Sequence, residues 1–342
     1  AKAAQMGAAI NIITGLSYGL ESTAIPLMGV AAVLAASYFI MYPVGGSVAG
    51  LYGIAATALG ITSMTGIIQS ADTFGPIVDN ADGIAEMSGI KDEVGEALDE
   101  LDAVGNITKA ITKGYAMGCA IITSAIMLFA YVCEAAKHTH KGVLKSLSDL
   151  AHYLVAVDPT FIAAAVLGAI TPFLFSALAI RAVGRGAYKM VEEVRRQFRE
   201  IPGILEGKAK PDYAKCVDIS TKYALREMVA PTLIGLIMPI AVGLLLGPWA
   251  LTAFLLSCTI TGAVLATFMF NTGATWDNAK KFIEYGHFGG KGTDTHKASV
   301  IGDTVGDPLK DTAGPSLHIL IKLVSIVSIT LLPLFVAHAL II

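Results

Sequence analysis

Stretches without any charged residue dominate this sequence. Five long stretches contain no Asp, Glu, Lys or Arg, at 22–71, 114–133, 159–180, 228–276 and 323–342. A transmembrane helix needs about 20 apolar residues, and one charge at the bilayer centre costs about 2.5–3.5 kcal/mol. The alternation of these stretches with charged segments therefore predicts a protein that crosses a membrane several times.

The two longest uncharged stretches each contain a break near the middle. Pro43-Val44-Gly45-Gly46 interrupts the first and Gly247-Pro248 the second, and such residues end helices and start turns. The sequence therefore predicts an all-α, polytopic bundle of about seven spans of about 20 residues, in a single membrane domain covering 1–342. The predicted spans are about 22–42, 47–71, 112–133, 159–180, 228–246, 249–271 and 312–342. The uncharged segment 3–20 forms either an eighth segment or an extension of the first helix.

Composition supports a membrane protein and narrows its chemistry. Hydrophobic residues make up 54% of the 342 residues and charged residues 15%, whereas soluble domains contain about 25% charged residues. The net charge of −3 gives no indication of a nucleic-acid partner. The four cysteines lack CxxC spacing and predict neither a metal site nor a disulfide framework.

Lysines and arginines are concentrated on one side of the predicted bundle. If the spans alternate, segments 71–112, 181–227 and 271–312 share a side, and together they contain most of the positive charges. Under the positive-inside rule this side is cytoplasmic. Segment 181–227 mixes charges of both signs around Ile201-Pro202-Gly203, which predicts solvated helical extensions joined by a turn.

A polar stripe runs along one predicted helix near the C-terminus. At 100° per residue its members fall within about 120° of arc, and at 1.5 Å per residue the stripe is roughly 28 Å long. This length is comparable to the hydrocarbon thickness of a bilayer, so the stripe can extend from a cytoplasmic site deep into the membrane. Its members are Asp303, Asp307, Lys310, Asp311, Gly314, His318 and Lys322.

Shorter charged stripes occur where other apolar spans meet the cytoplasmic side. One contains Asp277, Lys280, Lys281 and Glu284, another contains Asp99, Asp102, Asn106, Lys109 and Lys113, and Asp72 and Asp79 share a third face. Clustered carboxylates repel one another unless cations lie among them, and Mg²⁺ with phosphate oxygens meets this need. The lysines add positive charge for further phosphate oxygens. We therefore predict phosphoryl transfer, without the GxxxxGK[ST] or GxGxxG motifs of common nucleotide sites.

Four motifs carry a resemblance to a known family. They begin at Asp72, Gly105, Asn271 and Gly302 and read DTFGPIVDNA, GNITKAITKG, NTGATWDNAKK and GDTVGDPLKDTAGPS. They resemble the signatures of the membrane-bound, ion-translocating inorganic pyrophosphatases, and the resemblance runs from about Gln5 to the C-terminus.

The resemblance implies an architecture and a set of partners. It implies homodimers of about sixteen helices per subunit, and each helix spans the lipid bilayer with about 20 residues. Such dimers hydrolyse pyrophosphate on the cytoplasmic side and pump H⁺ or Na⁺ outward. This chain resembles the C-terminal half of such a pump. The N-terminal half, with its DDxxxKxxD-type motif, is then the expected partner, and the chain alone is expected to be inactive.

The resemblance also implies site residues, carried over position by position. The Mg²⁺ ligands would be Asp72, Asn106, Asp277, Asp303 and Asp307, and the pyrophosphate contacts would be Lys280, Lys281 and Lys310. Asp311 would activate the attacking water, and Lys113 would lie in the same active site. Lys322 matches the lysine of the family's ion gate. Family members usually have Asn where this chain has His318, which either titrates on the conduction stripe or packs as a neutral histidine.

Lys109 and Thr112 resemble the potassium-independent subfamily. Members that require K⁺ typically have Ala at the position of Lys109, whereas independent members have Lys there and often Thr at the position of Thr112. An ammonium group can occupy the place of a monovalent cation near phosphate. The resemblance therefore implies a K⁺-independent proton pump. The alternatives are a Na⁺-pumping pyrophosphatase and a secondary transporter with an intramembrane charged pathway and no hydrolysis.

Overall fold

The computed structural model describes the backbone of residues 1–88, 91–140, 158–204 and 206–340. Within these ranges it describes all side chains except those of 79, 86–88, 91–94, 96, 99, 106, 107, 109, 110 and 140. The part of the chain so described contains helices and turns but no strand. The predicted all-α fold is confirmed.

The helices follow one another through short connections. A 3₁₀ helix (Lys2–Met6) precedes α1 (Ala8–Ser22), α2 (Ala24–Ser63), α3 (Thr65–Ser88) and α4 (Lys91–His140). The next helices are α5 (Pro159–Glu200), α6 (Tyr213–Glu227), α7 (Val229–Leu245) and α8 (Gly247–Glu284), which a second 3₁₀ turn (His287–Gly289) follows. The chain continues as α9 (Asp294–Asp307), a π-helical segment (Pro308–Ala313) and α10 (Gly314–His338).

Six helical stretches within the described ranges are long and apolar enough to cross a membrane. They are Ala8–Ser63, Ile111–Thr139, Pro159–Glu200, Tyr213–Leu245, Gly247–Glu284 and Asp294–His338. The first stretch contains non-helical backbone at Gly45 and Gly46, inside the break that the sequence predicts. Because this kink divides α2 into two apolar limbs, the six stretches agree with a prediction of about seven spans of about 20 residues.

The second predicted break lies between α7 and α8. Gly247 has a φ angle of 90°, which residues with a Cβ rarely adopt, and Pro248 occupies the first turn of α8. The chain therefore reverses direction at Gly247-Pro248 and α8 starts there.

Helix α8 forms the centre of the bundle. It packs against α1, α4, α5, α7, α9 and α10. The consecutive residues Leu251, Thr252, Ala253 and Phe254 are all buried, and four consecutive residues cover the whole circumference of a helix, as expected for a helix that is buried on all sides. Since α8 continues without interruption to Glu284, this central packing also positions its charged C-terminal end against its neighbours.

Helices α5 and α6 form a hairpin joined by polar contacts. The Gln197 side chain donates to the Asp212 carbonyl at 3.1 Å and accepts from the Asp212 N–H at 2.8 Å. Arg196 donates to both carboxylate oxygens of the buried Glu193, at 2.9 and 2.7 Å. The segment 181–227 thus contains two helical extensions and a turn.

At the other end of α5, Asp158 caps the helix. Its carboxylate accepts from the backbone N–H groups of Thr160 and Phe161, and Pro159 occupies the first turn. The Thr160 hydroxyl also donates to this carboxylate and, as the largest cause, holds the pKa of Asp158 below its usual range.

Candidate active site

Four aspartates surround the ammonium group of Lys310. Its Nζ lies 2.7 Å from Asp277 Oδ2, 3.0 Å from Asp307 Oδ1, 3.4 Å from Asp303 Oδ1 and 3.9 Å from Asp311 Oδ2. The Lys310 side chain is only 12% exposed. Burial of this ammonium group is tolerated because carboxylates of opposite charge surround it. We refer to these five residues as the Lys310 cluster.

Two lysines of α8 extend the cluster across neighbouring helices. Lys280 forms an ion pair with Asp303 of α9 and lies 3.8 Å from Asp277. Lys281 Nζ lies 2.5 Å from Asp102 Oδ2 of α4. The charged stripes predicted separately on α4, α8 and α9 therefore face one another in the folded chain.

Lys113 connects α4 to the π-helical segment. Its Nζ donates to Asp311 Oδ1 at 3.0 Å and to the Lys310 carbonyl oxygen at 3.3 Å, and it lies 5.6 Å from the centre of the Phe270 ring. The sequence places Asp303 to Lys322 on a single α-helical stripe, but the structure has π geometry over Pro308–Ala313. A π turn departs from the i→i+4 hydrogen-bond pattern, and here a carbonyl of the turn accepts from Lys113.

A further contact joins α3 to α4 beside this region. The Thr112 hydroxyl donates to Asp72 Oδ1 at 2.5 Å, so a predicted metal ligand and a predicted determinant of potassium independence are in direct contact. The side chains of Asn106 and Lys109, which the sequence also assigns to the site, lie outside the described residues.

Close packing of α8 on α9 brings the aspartates together. A Cβ at Gly306 would lie 2.9 Å from the Cα of Gly273, so only glycine allows the two backbones to approach this closely. Behind this contact, Trp276 Nε1 donates to the backbone oxygen of Asn11 at 3.1 Å. The Asn11 side chain in turn donates to the Ala298 carbonyl at 3.1 Å. Helix α1 thereby joins α8, one residue before Asp277, to α9.

A cavity of about 240 Å³ opens beside the Lys310 cluster. One part of its wall is polar and contains Lys113, Asn271, Asp277, Asn278, Lys310 and Asp311. The other part is apolar and includes Leu27, Val30, Met117 and Phe270. The cavity is thus large enough for a small anion and presents both cations and carboxylates to it.

His318 and Lys322 lie deeper on α10. No described residue forms a hydrogen bond with the buried Nε2 atom of His318, and the ring centre of His318 lies 5.1 Å from that of Phe270. Lys322 follows one turn later and is half-buried. The described structure brings His318 next to an aromatic ring that also contacts Lys113.

A sequence model of the family described as inorganic H⁺ pyrophosphatase matches residues 1–331. The chain belongs to this family. It is 52% identical over 341 residues to the K⁺-insensitive pyrophosphate-energized proton pump of Caldanaerobacter subterraneus subsp. tengcongensis, covering 98% of this chain and 47% of that protein. It is 49% identical to a pump of the same description from Methanosarcina mazei, covering 98% of this chain and 48% of that protein.

A relative with a different description is also similar. The chain is 46% identical to a protein of Clostridium tetani described as a putative K⁺-stimulated pyrophosphate-energized sodium pump, covering 99% of this chain and 48% of that protein. The chain spans about half the length of the curated relatives it matches.

Membership of an H⁺ pyrophosphatase family implies a metal cofactor, and the donor atoms of the Lys310 cluster suit one. Asp277, Asp303 and Asp307 offer only carboxylate oxygens, which are the ligands that hard divalent cations prefer. Among the described residues, no three His, Cys, Asp or Glu side chains are grouped so that they could hold a metal ion by themselves. The ammonium group of Lys310 lies between the carboxylates, and Lys280 lies beside them.

Several site contacts of this H⁺ pyrophosphatase chain were not predicted. The sequence gives no indication of the pairs Asp72–Thr112, Asp102–Lys281 and His296–Glu284, the last with His296 Nε2 2.9 Å from Glu284 Oε1. Asn11 was missed as well, because a single polar residue in an uncharged segment carries no distinguishing pattern. The charge stripes locate the participating faces, but the pairing depends on how the helices pack.

Proposed function

We propose that the pump to which this chain contributes hydrolyses inorganic pyrophosphate at the Lys310 cluster. The supporting observation is that Lys310 lies within 3.9 Å of four aspartate carboxylates beside a cavity of about 240 Å³. A tetravalent anion needs cations for binding, and its hydrolysis needs a carboxylate that accepts a proton from water. Both kinds of group line this cavity.

The proposed cofactor is Mg²⁺, with Asp72, Asn106, Asp277, Asp303 and Asp307 as its ligands. When bound, Mg²⁺ neutralises charge on phosphate oxygens and polarises the phosphorus–oxygen bonds. The lysines of this chain provide the remaining positive charge. Lys280, Lys281 and Lys310 each contact an aspartate, and their ammonium groups are proposed to contact the phosphate oxygens of the substrate.

Asp311 is proposed to accept a proton from the attacking water. Lys113 holds one of its oxygens at 3.0 Å, and the other oxygen remains directed towards the 3.9 Å contact with Lys310. These two contacts restrict the orientation of the Asp311 carboxylate. Lys113 is therefore a positioning residue for Asp311. No phosphoenzyme is required, since water attacks the phosphorus directly.

The transported ion is proposed to be H⁺, and K⁺ is not required. Names of two similar relatives describe K⁺-insensitive proton pumps, and Lys109 and Thr112 match the potassium-independent pattern. Lys322 is proposed to form part of the ion gate below the site, with His318 on the same path. Charged residues within transmembrane helices commonly line such paths.

The remaining proposals concern assembly. Because the chain covers 47% and 48% of two similar pumps, we propose that the other half of such a pump supplies further acidic residues. The chain alone is therefore proposed not to turn over pyrophosphate. The complete pump is proposed to be a homodimer. The Lys310 cluster is proposed to face the cytoplasm, since the segments on its side carry most of the Lys and Arg residues.

Phosphate release tests the proposed function. Membranes that contain the complete pump should release phosphate from pyrophosphate only with Mg²⁺, equally with and without K⁺, and should acidify one side of sealed vesicles. Membranes that contain residues 1–342 alone should match a blank. Solute transport without phosphate release would support a secondary transporter instead, and Na⁺-dependent turnover would support a sodium pump.

A further inference from the structure

An apolar groove lies between α5, α6, α7 and α10, and it shares no lining residue with the cavity at the Lys310 cluster. Its volume is about 590 Å³, within the range of about 300–1,000 Å³ that is usual for ligand sites. Phe175, Val183, Met190, Ile319 and Leu323 contribute to its walls. Apart from Glu227, its lining contains no charged residue.

A basic recess adjoins this groove. It shares Tyr223 and Glu227 with the groove, and four cationic side chains surround it. The four are Arg181, Arg185, Lys189 and Arg226. The only carboxylate that lines the recess, in the described part of the chain, is Glu227, and Arg185 already binds both of its oxygens. Groove and recess together form one amphipathic site, which we call the α5–α6 site.

Two of the cations in the recess are available to a ligand. Lys189 is paired with Glu192 at 2.8 Å and Arg185 with Glu227. Arg181 is exposed and donates from Nε to the Ala177 carbonyl at 3.2 Å, and its terminal nitrogens have no partner within the described ranges. Arg226 is exposed and has no ion-pair partner among the residues that the structure describes. The recess therefore presents uncompensated positive charge.

The α5–α6 site lies at the boundary of the apolar layer. The uncharged stretch 159–180 ends immediately before Arg181, and the uncharged stretch 228–276 begins immediately after Glu227. The basic recess is consequently at headgroup level, while Phe175 and Leu323 extend the groove towards the acyl chains. This is the side on which Lys and Arg are concentrated, and basic pockets between helices at that level bind anionic headgroups.

We propose that the α5–α6 site binds one anionic phospholipid, with its phosphate on Arg181 and Arg226 and an acyl chain in the apolar groove. Charge complementarity identifies the ligand class. A zwitterionic lipid has no net charge to offset the excess of cations, and a soluble anion would leave the groove unfilled. A helix from the other half of the pump is the competing occupant, and photolabelling in the complete pump distinguishes it from a lipid. The proposal is independent of the reaction at the Lys310 cluster.

Native mass spectrometry of the complete pump in detergent tests the headgroup part of the proposal. The probes are phosphatidylglycerol and phosphatidylcholine with identical acyl chains. We expect the pump to retain phosphatidylglycerol in preference to phosphatidylcholine, and the double variant Arg181→Gln/Arg226→Gln to reduce this preference by about tenfold or more. Arg195→Gln/Arg199→Gln is the matched control, since it removes two exposed arginines of α5 that lie outside the recess. Equal retention of both lipids, or an equal loss in the control, overturns the proposal.

A second variant tests the groove without changing any charge. Gly186 lines the groove, and a Cβ there would meet no atom within 4 Å, so Gly186→Leu places its side chain in the acyl-chain space without a clash at Cβ. We expect this variant to release phosphatidylglycerol, whereas Gly60→Leu, at an equally open position on α2, should retain it. Retention by Gly186→Leu, or equal competition by glycerol 3-phosphate, would show that no acyl chain occupies the groove.

Photolabelling in the complete pump distinguishes a lipid from a protein occupant. Phosphatidylglycerol with a photoreactive acyl chain should label peptides that contain Val183 to Met190 and Ile319 to Leu323. Absence of label there, with labelling of other lipid-facing helices, would mean that protein covers the groove and would overturn the proposal.

Discussion

The ammonium group of Lys113 lies 3.0 Å from a carboxylate oxygen of Asp311, although the two residues are 198 positions apart. The same group lies 3.3 Å from the backbone oxygen of Lys310. One side chain of α4 therefore holds both the carboxylate and the backbone of the π-helical segment. This relationship suggests that Lys113 fixes the segment in which the proposed water-activating carboxylate lies.

Replacing Asp311 should abolish hydrolysis by the complete pump. Asp311→Asn keeps the size of the side chain but cannot accept a proton from water, and positioned general bases contribute about 10²–10⁴-fold to rate. Lys113→Met should lower hydrolysis less, because Asp311 keeps its carboxylate and loses a contact that positions it, and Lys113→Arg should restore part of the activity. Phosphate release from membranes that contain each of the three variants measures these effects.

Lys297→Met is the control for the Lys113 variants. It removes an exposed lysine paired with Asp294 and should leave the rate of hydrolysis unchanged. If Lys113→Met also leaves the rate unchanged, Lys113 has no positioning role.

Replacing Lys322 should separate transport from hydrolysis. Lys322 lies three turns beyond Asp311 on the same helical run, so Lys322→Ala leaves the Lys310 cluster intact but removes a charge from the proposed ion path. We expect vesicle acidification to fall more than phosphate release, measured on the same preparation. If both activities fall in constant proportion, Lys322 belongs to the catalytic site and the gate assignment is wrong.

The sequence predicts the faces of the site better than its contacts. Charge-free stretches predict the spans because a charge in the bilayer is costly, and a 100° rotation per residue places Asp303 and Asp307 on one face. No local sequence pattern predicts that the helix changes to π geometry at Pro308. Pairs such as Lys281–Asp102, which are 179 positions apart, depend on the packing of α4 against α8 and cannot be derived from either stripe alone.

Replacing Lys109 should create a requirement for K⁺. An ammonium group near the phosphate site can substitute for a monovalent cation. Lys109→Ala in the complete pump should therefore lose activity without K⁺ and regain it with tens of millimolar K⁺. At roughly this ionic strength, interactions between exposed charges are only partly screened. Phosphate release with and without K⁺ measures this effect. Lys137→Ala, which removes an exposed lysine near the other end of α4, is the control. A mutant that gains no K⁺ dependence, or an unmodified pump that already needs K⁺, would contradict charge replacement.

Adding one methyl group at Gly302 should destabilise the chain. A Cβ at Gly302 would lie 2.5 Å from Asn11 Nδ2 and 3.0 Å from Trp276 Cδ1. Neither neighbour can move freely, since Asn11 and Trp276 are hydrogen-bonded to each other and Asn11 is also bonded to Ala298. Overpacking of this kind costs about 1–3 kcal/mol, more than the gain of about 1 kcal/mol that alanine brings to a helix. Gly302→Ala should therefore lower the unfolding temperature of residues 1–342 in detergent.

Two comparisons make the Gly302 prediction specific. Gly60→Ala introduces the same methyl group where no atom lies within 4 Å, so the higher helix propensity of alanine should leave stability unchanged or raise it. In an Asn11→Ala background the cost of Gly302→Ala should shrink, because the clashing amide is gone and the two changes share a contact. If Gly302→Ala costs the same with and without the Asn11 side chain, the contact between α1 and α9 does not determine the strain.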